Sequence, residues 1–352
     1  MTSTNRLKGL QALRGIAALL VVTMHAMNLA AAYSGAAWAR SASGIVAHLG
    51  HWGVDIFFVL SGFVIAGLAG KSGASGGFLV KRAARVFPLF WLSLAAMLLL
   101  PPLPGADNSG LSIKPLSLLL LQVPTAHPVA WTLTYEVQFY LVAAIAIMAG
   151  VNFRWAFGVW IMAEAVLVAA SIYGLVPKFP LTDALTLEFC MGVALAIFGQ
   201  GAIVRRPFVL VAFAILAVAG SSMVWGSQWV STTTPVRALV WGVPAAMLVW
   251  AVLTAEEQGV KFPRSLTFLG DISYSVYMWH LAVFSVAAAI LGYVHLNDGT
   301  TGAALFLGFG LVGVLGVGAL SYSYFERPIT RLAGRGRAIP LVSRAAHLSS
   351  TS

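Results

Sequence analysis

Arg14 and His25 stand eleven residues apart in LQALRGIAALLVVTMH, near the two ends of an otherwise apolar run. On a helix that interval is close to three turns and a rise of about 16 Å, so both side chains share one face. A neutral imidazole takes a proton from a hydroxyl or attacks a carbonyl carbon, and an arginine orients an anionic group or steadies developing negative charge. The plain alternative is a snorkelling arginine above a satisfied core histidine. A second histidine, His280, lies in DISYSVYMWHLAVF, where Ser273, Tyr277 and His280 at i, i+4 and i+7 form one polar stripe. GHWGVDIFFVLSGFVIA holds Asp55, expected a few residues inside the outer boundary, then Ser61, with Gly53, Gly62 and Gly67 as points of close helix approach. An aspartate so placed also reads as simply hydrated. In PVAWTLTYEVQFYLV, Glu136 precedes Tyr140 by four residues, and an unpaired carboxylate there must neutralise or find a partner. KSGASGGFLVKRAARVFP supplies Lys81, Arg82 and Arg85, the two arginines neighbours at i, i+3. Such a fork suits phosphate oxygens, although an ordinary basic loop explains it equally well.

These residues have to be positioned in lipid. Of 352 residues 59% are hydrophobic and 9% charged, too little polar surface for a water-soluble domain. Ten apolar runs long enough to cross fall at about 15–33, 52–70, 86–103, 131–150, 156–175, 184–200, 207–225, 236–254, 272–292 and 302–324. The expected fold is therefore all-α, a polytopic integral membrane protein of about ten helices. With both termini cytoplasmic, the outer segments hold only Arg40, Lys114, Lys178 and Arg237 of the 21 basic residues, as the positive-inside rule requires. Residues 1–335 then form the membrane domain and 336–352 a polar cytoplasmic tail. Cleavage after the Leu29–Ala32 stretch as a signal peptide is not expected; it would leave nine spans and discard Arg14 and His25.

The formal charge of +10 follows from that loop asymmetry and calls for anionic lipid headgroups as partners, with no segment dense enough in Lys and Arg to track nucleic acid. The single cysteine, Cys190, allows neither an intramolecular disulfide nor a cysteine-ligated metal cluster, and no metal site is expected. Ionisable groups inside lipid are costly, which makes His25, Asp55, Glu136, Glu164, Glu188 and His280 functional candidates, with Arg14, Asp271 and Glu326 at the cytoplasmic ends. Glu164 and Glu188 stay unassigned. A basic mouth, histidines at mid-depth and carboxylates toward the outside suit chemistry across the bilayer or a proton-coupled secondary transporter. A membrane scaffold whose polar groups serve only helix association is the third reading.

The segments LQALRGIAALLVVTMH, GVDIFFVLSGF, KRAARVFP, WTLTYEVQFY, SYSVYMWH and SYFERP, in this order along nearly the whole chain, resemble the acyltransferase-3 family of polytopic membrane acyltransferases. Bacterial members O-acetylate surface and exported glycans, and some relatives acylate macrolides. The resemblance implies that Arg14 and His25 are this chain's Arg-x10-His element, with His25 in acyl transfer. It implies that Arg82 and Arg85, helped by Lys81, face an acyl-CoA donor, acetyl-CoA above all, used as a substrate with no permanently bound cofactor. Asp55, Ser61, Glu136, Tyr277 and His280 lie in other recurrent stretches as catalytic or supporting groups. The acceptor would be a hydroxyl of an exopolysaccharide, lipopolysaccharide or lipid-linked saccharide, and the location the bacterial inner membrane. Many members carry an extracytoplasmic hydrolase-like domain; the likeness covers the membrane domain, so any such step would fall to a separate acyl-handling protein.

Overall fold

A computed structural model describes residues 7–69, 75–104, 114–123, 127–150, 152–199, 204–225 and 235–335. The expected tail, 336–352, and the basic residues Arg6, Lys71, Arg337 and Arg344 lie outside them. No strand occurs among the described residues. The main helices are α1 (Lys8–Ser34), α2 (Ala37–Ala69), α3 (Ser75–Leu99), α4 (Trp131–Met148), α5 (Phe153–Ile172), α6 (Thr186–Phe198), α7 (Pro207–Trp225), α8 (Val243–Glu257), α9 (Arg264–Tyr293), α10 (Gly299–Ser321) and α11 (Arg327–Arg335). Among the described residues nine helical stretches are long and apolar enough to cross a membrane, the last running from Gly299 to Gly334. The expected run 184–200 becomes a helix of only 13 residues, α6, about 20 Å long against a hydrocarbon core of about 30 Å. The irregular chain before it has Thr182, Ala184 and Leu185 buried in protein.

Close crossings hold the bundle together. A Cβ on Gly62 of α2 would collide with the Phe189 carbonyl of α6, and one on Gly192 of α6 with the Val59 carbonyl of α2. Gly270 of α9 sits just as tightly on Gln11 of α1, and Gly53 of α2 on Ala17, so α1 is gripped from both sides. Gly67, in contrast, has nothing within 4 Å. One core joins Val21, Phe58, Phe90, Phe139, Phe189 and Phe284. A second joins Leu13, Trp52, Ile56, Val218, Trp241 and Val249. Phe208, Phe213, Leu216, Met223, Phe309 and Val312 are exposed, which gives α7 and α10 apolar outer faces fit for lipid.

Two of the boundaries that differ from those expected bear on the site residues. α2 begins at Ala37, about 15 residues before the apolar run, because its mixed first half lies along α1, where Met24 packs under Gly50. α3 begins at Ser75, so Lys81, Arg82 and Arg85 sit on a helix. The basic segments meet at one end: the Lys8 and Gly9 amides donate to Glu256 at 2.8 and 3.0 Å, and Gln258 donates to the Val204 carbonyl at 2.8 Å.

Candidate active site

A cavity of about 530 Å³ opens at this end, lined by Gln11 and Arg14 of α1, Lys81, Arg82 and Arg85 of α3, Gly270 and Asp271 of α9, and Tyr322, Glu326, Arg327, Thr330 and Arg331 beyond α10. A π-helical turn, Tyr322–Glu326, joins α10 to α11 and turns Glu326 inward, where its carboxylate accepts from Ser275 Oγ at 2.7 Å. Such turns insert one residue and re-aim a side chain, and they recur at functional sites. Arg82 lies 6.0 Å from the Tyr140 ring, a cation–π contact that holds its guanidinium over α4.

Arg14 also lines a second, inner chamber of about 60 Å³, together with Ser61 of α2, Thr132 and Glu136 of α4, and Ser273, Tyr274 and Tyr277 of α9. One guanidinium thus stands between the basic cavity and the inner chamber. Within the chamber, Glu136 accepts from Ser61 Oγ at 3.4 Å and from the Tyr140 hydroxyl through a short contact. Tyr274 donates to the Val86 carbonyl at 2.6 Å and Tyr277 to the Val129 carbonyl at 2.9 Å, which fix the chamber walls. Thr132 Oγ1 lies 3.0 Å from the Tyr277 hydroxyl.

Beyond Tyr277, whose ring is 5.8 Å from that of His280, the two histidines meet with ring centroids 4.9 Å apart. α1 and α9 run parallel here, since Gly15 and Gly270 touch near one end and His25 and His280 meet ten residues further along each helix. His25 Nδ1 is 3.0 Å from the Val21 carbonyl and His280 Nδ1 is 2.6 Å from the Tyr277 carbonyl. A carbonyl oxygen only accepts, so Nδ1 carries the hydrogen and Nε2 of each neutral ring keeps its lone pair. His280 is fully buried and its Nε2 has no hydrogen-bond partner among the described residues, whereas His25 keeps a part-exposed edge. Unsatisfied buried acceptors cost about 1–3 kcal/mol, so a nitrogen left in this state calls for a reason.

Asp55 is elsewhere. It lies midway along α2, fully buried, and forms a bidentate ion pair with Arg237, Nε to Oδ1 at 3.0 Å and Nη2 to Oδ2 at 3.2 Å. The expected hydrated aspartate is instead sealed in protein, because Arg237, at the edge of the expected run 236–254, reaches it from 182 residues away. Arg237 is 4% exposed, immediately before a π-helical turn, Ala238–Gly242, that leads into α8. Glu188 joins this cluster from α6, and Tyr135 donates to Asp183 at 3.0 Å nearby. Glu164, buried, accepts from Trp160 at 3.0 Å and Thr186 at 3.3 Å and ties α5 to α6. The structure therefore brings Arg14, Ser61, Glu136, Tyr277, His25 and His280 into one column beneath Lys81, Arg82 and Arg85. Glu326, a candidate from the sequence, belongs to its walls, as do Arg327, Arg331 and Tyr274, which had not been singled out; the only local signal for the two arginines was SYFERP, an acid and a base at the end of an apolar run. Among the described residues no His, Cys, Asp and Glu side chains gather as a metal site.

A helical bundle with a basic mouth and a lone-pair imidazole inside it suits a group-transfer enzyme, and residues 7–322 match the family model described as an acyltransferase domain, Acyl_transf_3. The chain belongs to that family and is an acyltransferase. It is 30% identical to the Exopolysaccharide production protein ExoZ of Rhizobium meliloti (strain 1021), over 85% of this chain and 95% of that protein. It is 27% identical to the Acyltransferase MdmB of Streptomyces mycarofaciens, over 83% and 84% of the two chains. Nodulation protein 10 of Rhizobium leguminosarum bv. viciae is 25% identical over 80% and 82%. No solved structure matches.

Proposed function

We propose that this protein is a membrane O-acyltransferase that moves an acetyl group from cytoplasmic acetyl-CoA to a hydroxyl of an exported or cell-surface glycan. The observation that carries the reading is the column itself: one guanidinium, Arg14, borders both the basic cavity and the inner chamber, whose Tyr277 lies 5.8 Å from the ring of His280. The printed name of the exopolysaccharide-production relative supports a glycan acceptor. In this reading the bundle crosses the bacterial inner membrane ten times with both termini cytoplasmic, α6 counting as a crossing. The gathering of Lys8, Val204 and Glu256 at the end that bears the basic cavity supports that parity.

Arg82, Arg85 and Lys81 hold the donor phosphates, and Arg14, three turns before His25 on α1, orients the donor at the neck between the two cavities. His25 Nε2 takes the proton of the acceptor hydroxyl, the alkoxide oxygen forms the ester bond, the C–S bond breaks, and the proton leaves with the thiol. In a relay version Nε2 first forms the acyl bond itself and the acceptor oxygen then displaces it, with the same overall balance. Glu136 and Ser61 orient the reacting groups from the chamber wall, and His280 fixes the orientation of His25. Asp55, committed to Arg237, positions α2 rather than touching substrate. The test is thiol release from acetyl-CoA by protein in liposomes supplied with glycan acceptor, wild type beside His25→Ala. Loss of release at normal protein levels is expected. Full turnover by the variant would overturn the assignment of His25.

A further inference from the structure

The basic cavity has a wall that the donor reading above leaves idle. Arg327 and Arg331 lie at i, i+4 on α11, so they project from one helix face, and both are exposed at the mouth. They line the same cavity as Lys81, Arg82 and Arg85 on α3, against which α11 packs. Among the described residues, six cationic side chains line this cavity, Arg14, Lys81, Arg82, Arg85, Arg327 and Arg331, against two carboxyls, Asp271 and Glu326, a surplus of four positive charges. A pyrophosphate diester carries about two negative charges and a phosphomonoester adds about 1.5–2. The surplus therefore fits a ligand with both groups, and exceeds what a pyrophosphate alone requires.

Depth orders the cations. Arg14 reaches the inner chamber, Arg82 and Arg85 are half-buried, and Arg327 and Arg331 are outermost. CoA is ordered in the same way along its length: thioester, pantetheine arm, pyrophosphate, then the ribose with its 3′-phosphate. We infer that Arg327 and Arg331 form a second anion clamp, which takes the 3′-phosphate of the donor while Arg82 and Arg85 take the pyrophosphate. The π-helical turn before α11 sets the rotation at which the clamp faces the cavity. The enzyme thereby discriminates 3′-phosphorylated CoA from its dephospho form. This inference rests on the acyl-CoA reading of the site.

The test is equilibrium binding of CoA and of 3′-dephospho-CoA to the full-length protein in nanodiscs of zwitterionic lipid, so that anionic headgroups do not occupy the arginines. Wild type is expected to prefer CoA by about tenfold to a hundredfold, the worth of charge-assisted hydrogen bonds to one phosphate. The Arg327→Gln, Arg331→Gln double variant should bind both ligands with the wild-type affinity for dephospho-CoA, a result that also certifies its fold. Arg82→Gln with Arg85→Gln should weaken both ligands alike. The single Arg331→Gln variant changes one exposed side chain and should lose part of the preference. Equal wild-type affinities, or a preference that survives in these α11 variants, overturn the clamp and leave the donor reading standing. Failure of wild type to bind either ligand overturns the donor reading and the clamp with it.

Discussion

At the residue scale, the two histidines differ in what surrounds them. His25 retains an accessible edge, while His280 is enclosed and touches it at a ring separation of 4.9 Å. A group in contact with substrate and one that only orients it have different kinetic signatures. His280→Ala should lower kcat by about tenfold to a hundredfold, less than the roughly 10²–10⁴-fold worth of a general acid or base itself, and leave the KM for acetyl-CoA unchanged. A proportional rise in KM would place His280 in donor binding instead. Asp55 and Arg237 invite a different experiment, because a buried ion pair that loses one partner strands the other charge. Arg237→Ala should cost about 3–5 kcal/mol of stability. The double variant with Asp55→Ala should cost less than the sum of the single losses, measured by denaturant unfolding in detergent micelles. Additive losses would show that the pair is not coupled. Both histidines and Asp55 were legible in the sequence as polar residues out of place in lipid. Their partners were not, since Arg237 stands 182 residues from Asp55 and no local pattern links them.

At the scale of elements, the apolar runs located the helices but not their ends. α2 extends to Ala37 through Arg40, Ser41, Ser43 and His48, residues that lower the hydropathy of the segment without opposing helix formation. The extension persists because it packs on α1. The tight crossings make a sharp prediction about glycines that look alike in sequence. Gly62→Ala and Gly192→Ala push a methyl group into a facing backbone carbonyl and should destabilise the bundle by about 1–3 kcal/mol. Gly67→Ala, on the same helix with open space around it, should be neutral or slightly stabilising, as alanine is the better helix former. Thermal melts of the three purified variants decide this, and equal losses at all three positions would contradict the crossing geometry. The two π-helical turns, Ala238–Gly242 and Tyr322–Glu326, were equally hidden. Each lies beside a buried charge, Arg237 or Glu326, and each continues an apolar helix whose hydropathy gives no sign of an extra residue.

At the scale of the whole molecule, the proposed orientation is open to labelling because Cys190 is the chain's only cysteine and is buried. A cysteine at exposed Ser41 should react with a membrane-impermeant maleimide on intact cells, and one at exposed Lys261 only after permeabilisation. The reverse pattern would invert the topology and put the basic cavity outside. The sequence by itself determined the solvent of this protein, its helical class, the gathering of its basic residues in alternate segments, its family, and the roster of polar side chains held in lipid. These follow from composition and from periodicities within a single helix, where each residue reports on its own surroundings. Only the tertiary structure decided which of those side chains meet. The rotation and crossing of α1, α2, α6 and α9 depend on glycine contacts between distant segments, and they put His25 against His280, Arg14 between two cavities, and Asp55 on Arg237. A hydropathy profile averages over a helix circumference and carries no information about rotation, so the column that makes these residues a site exists only once the bundle has closed.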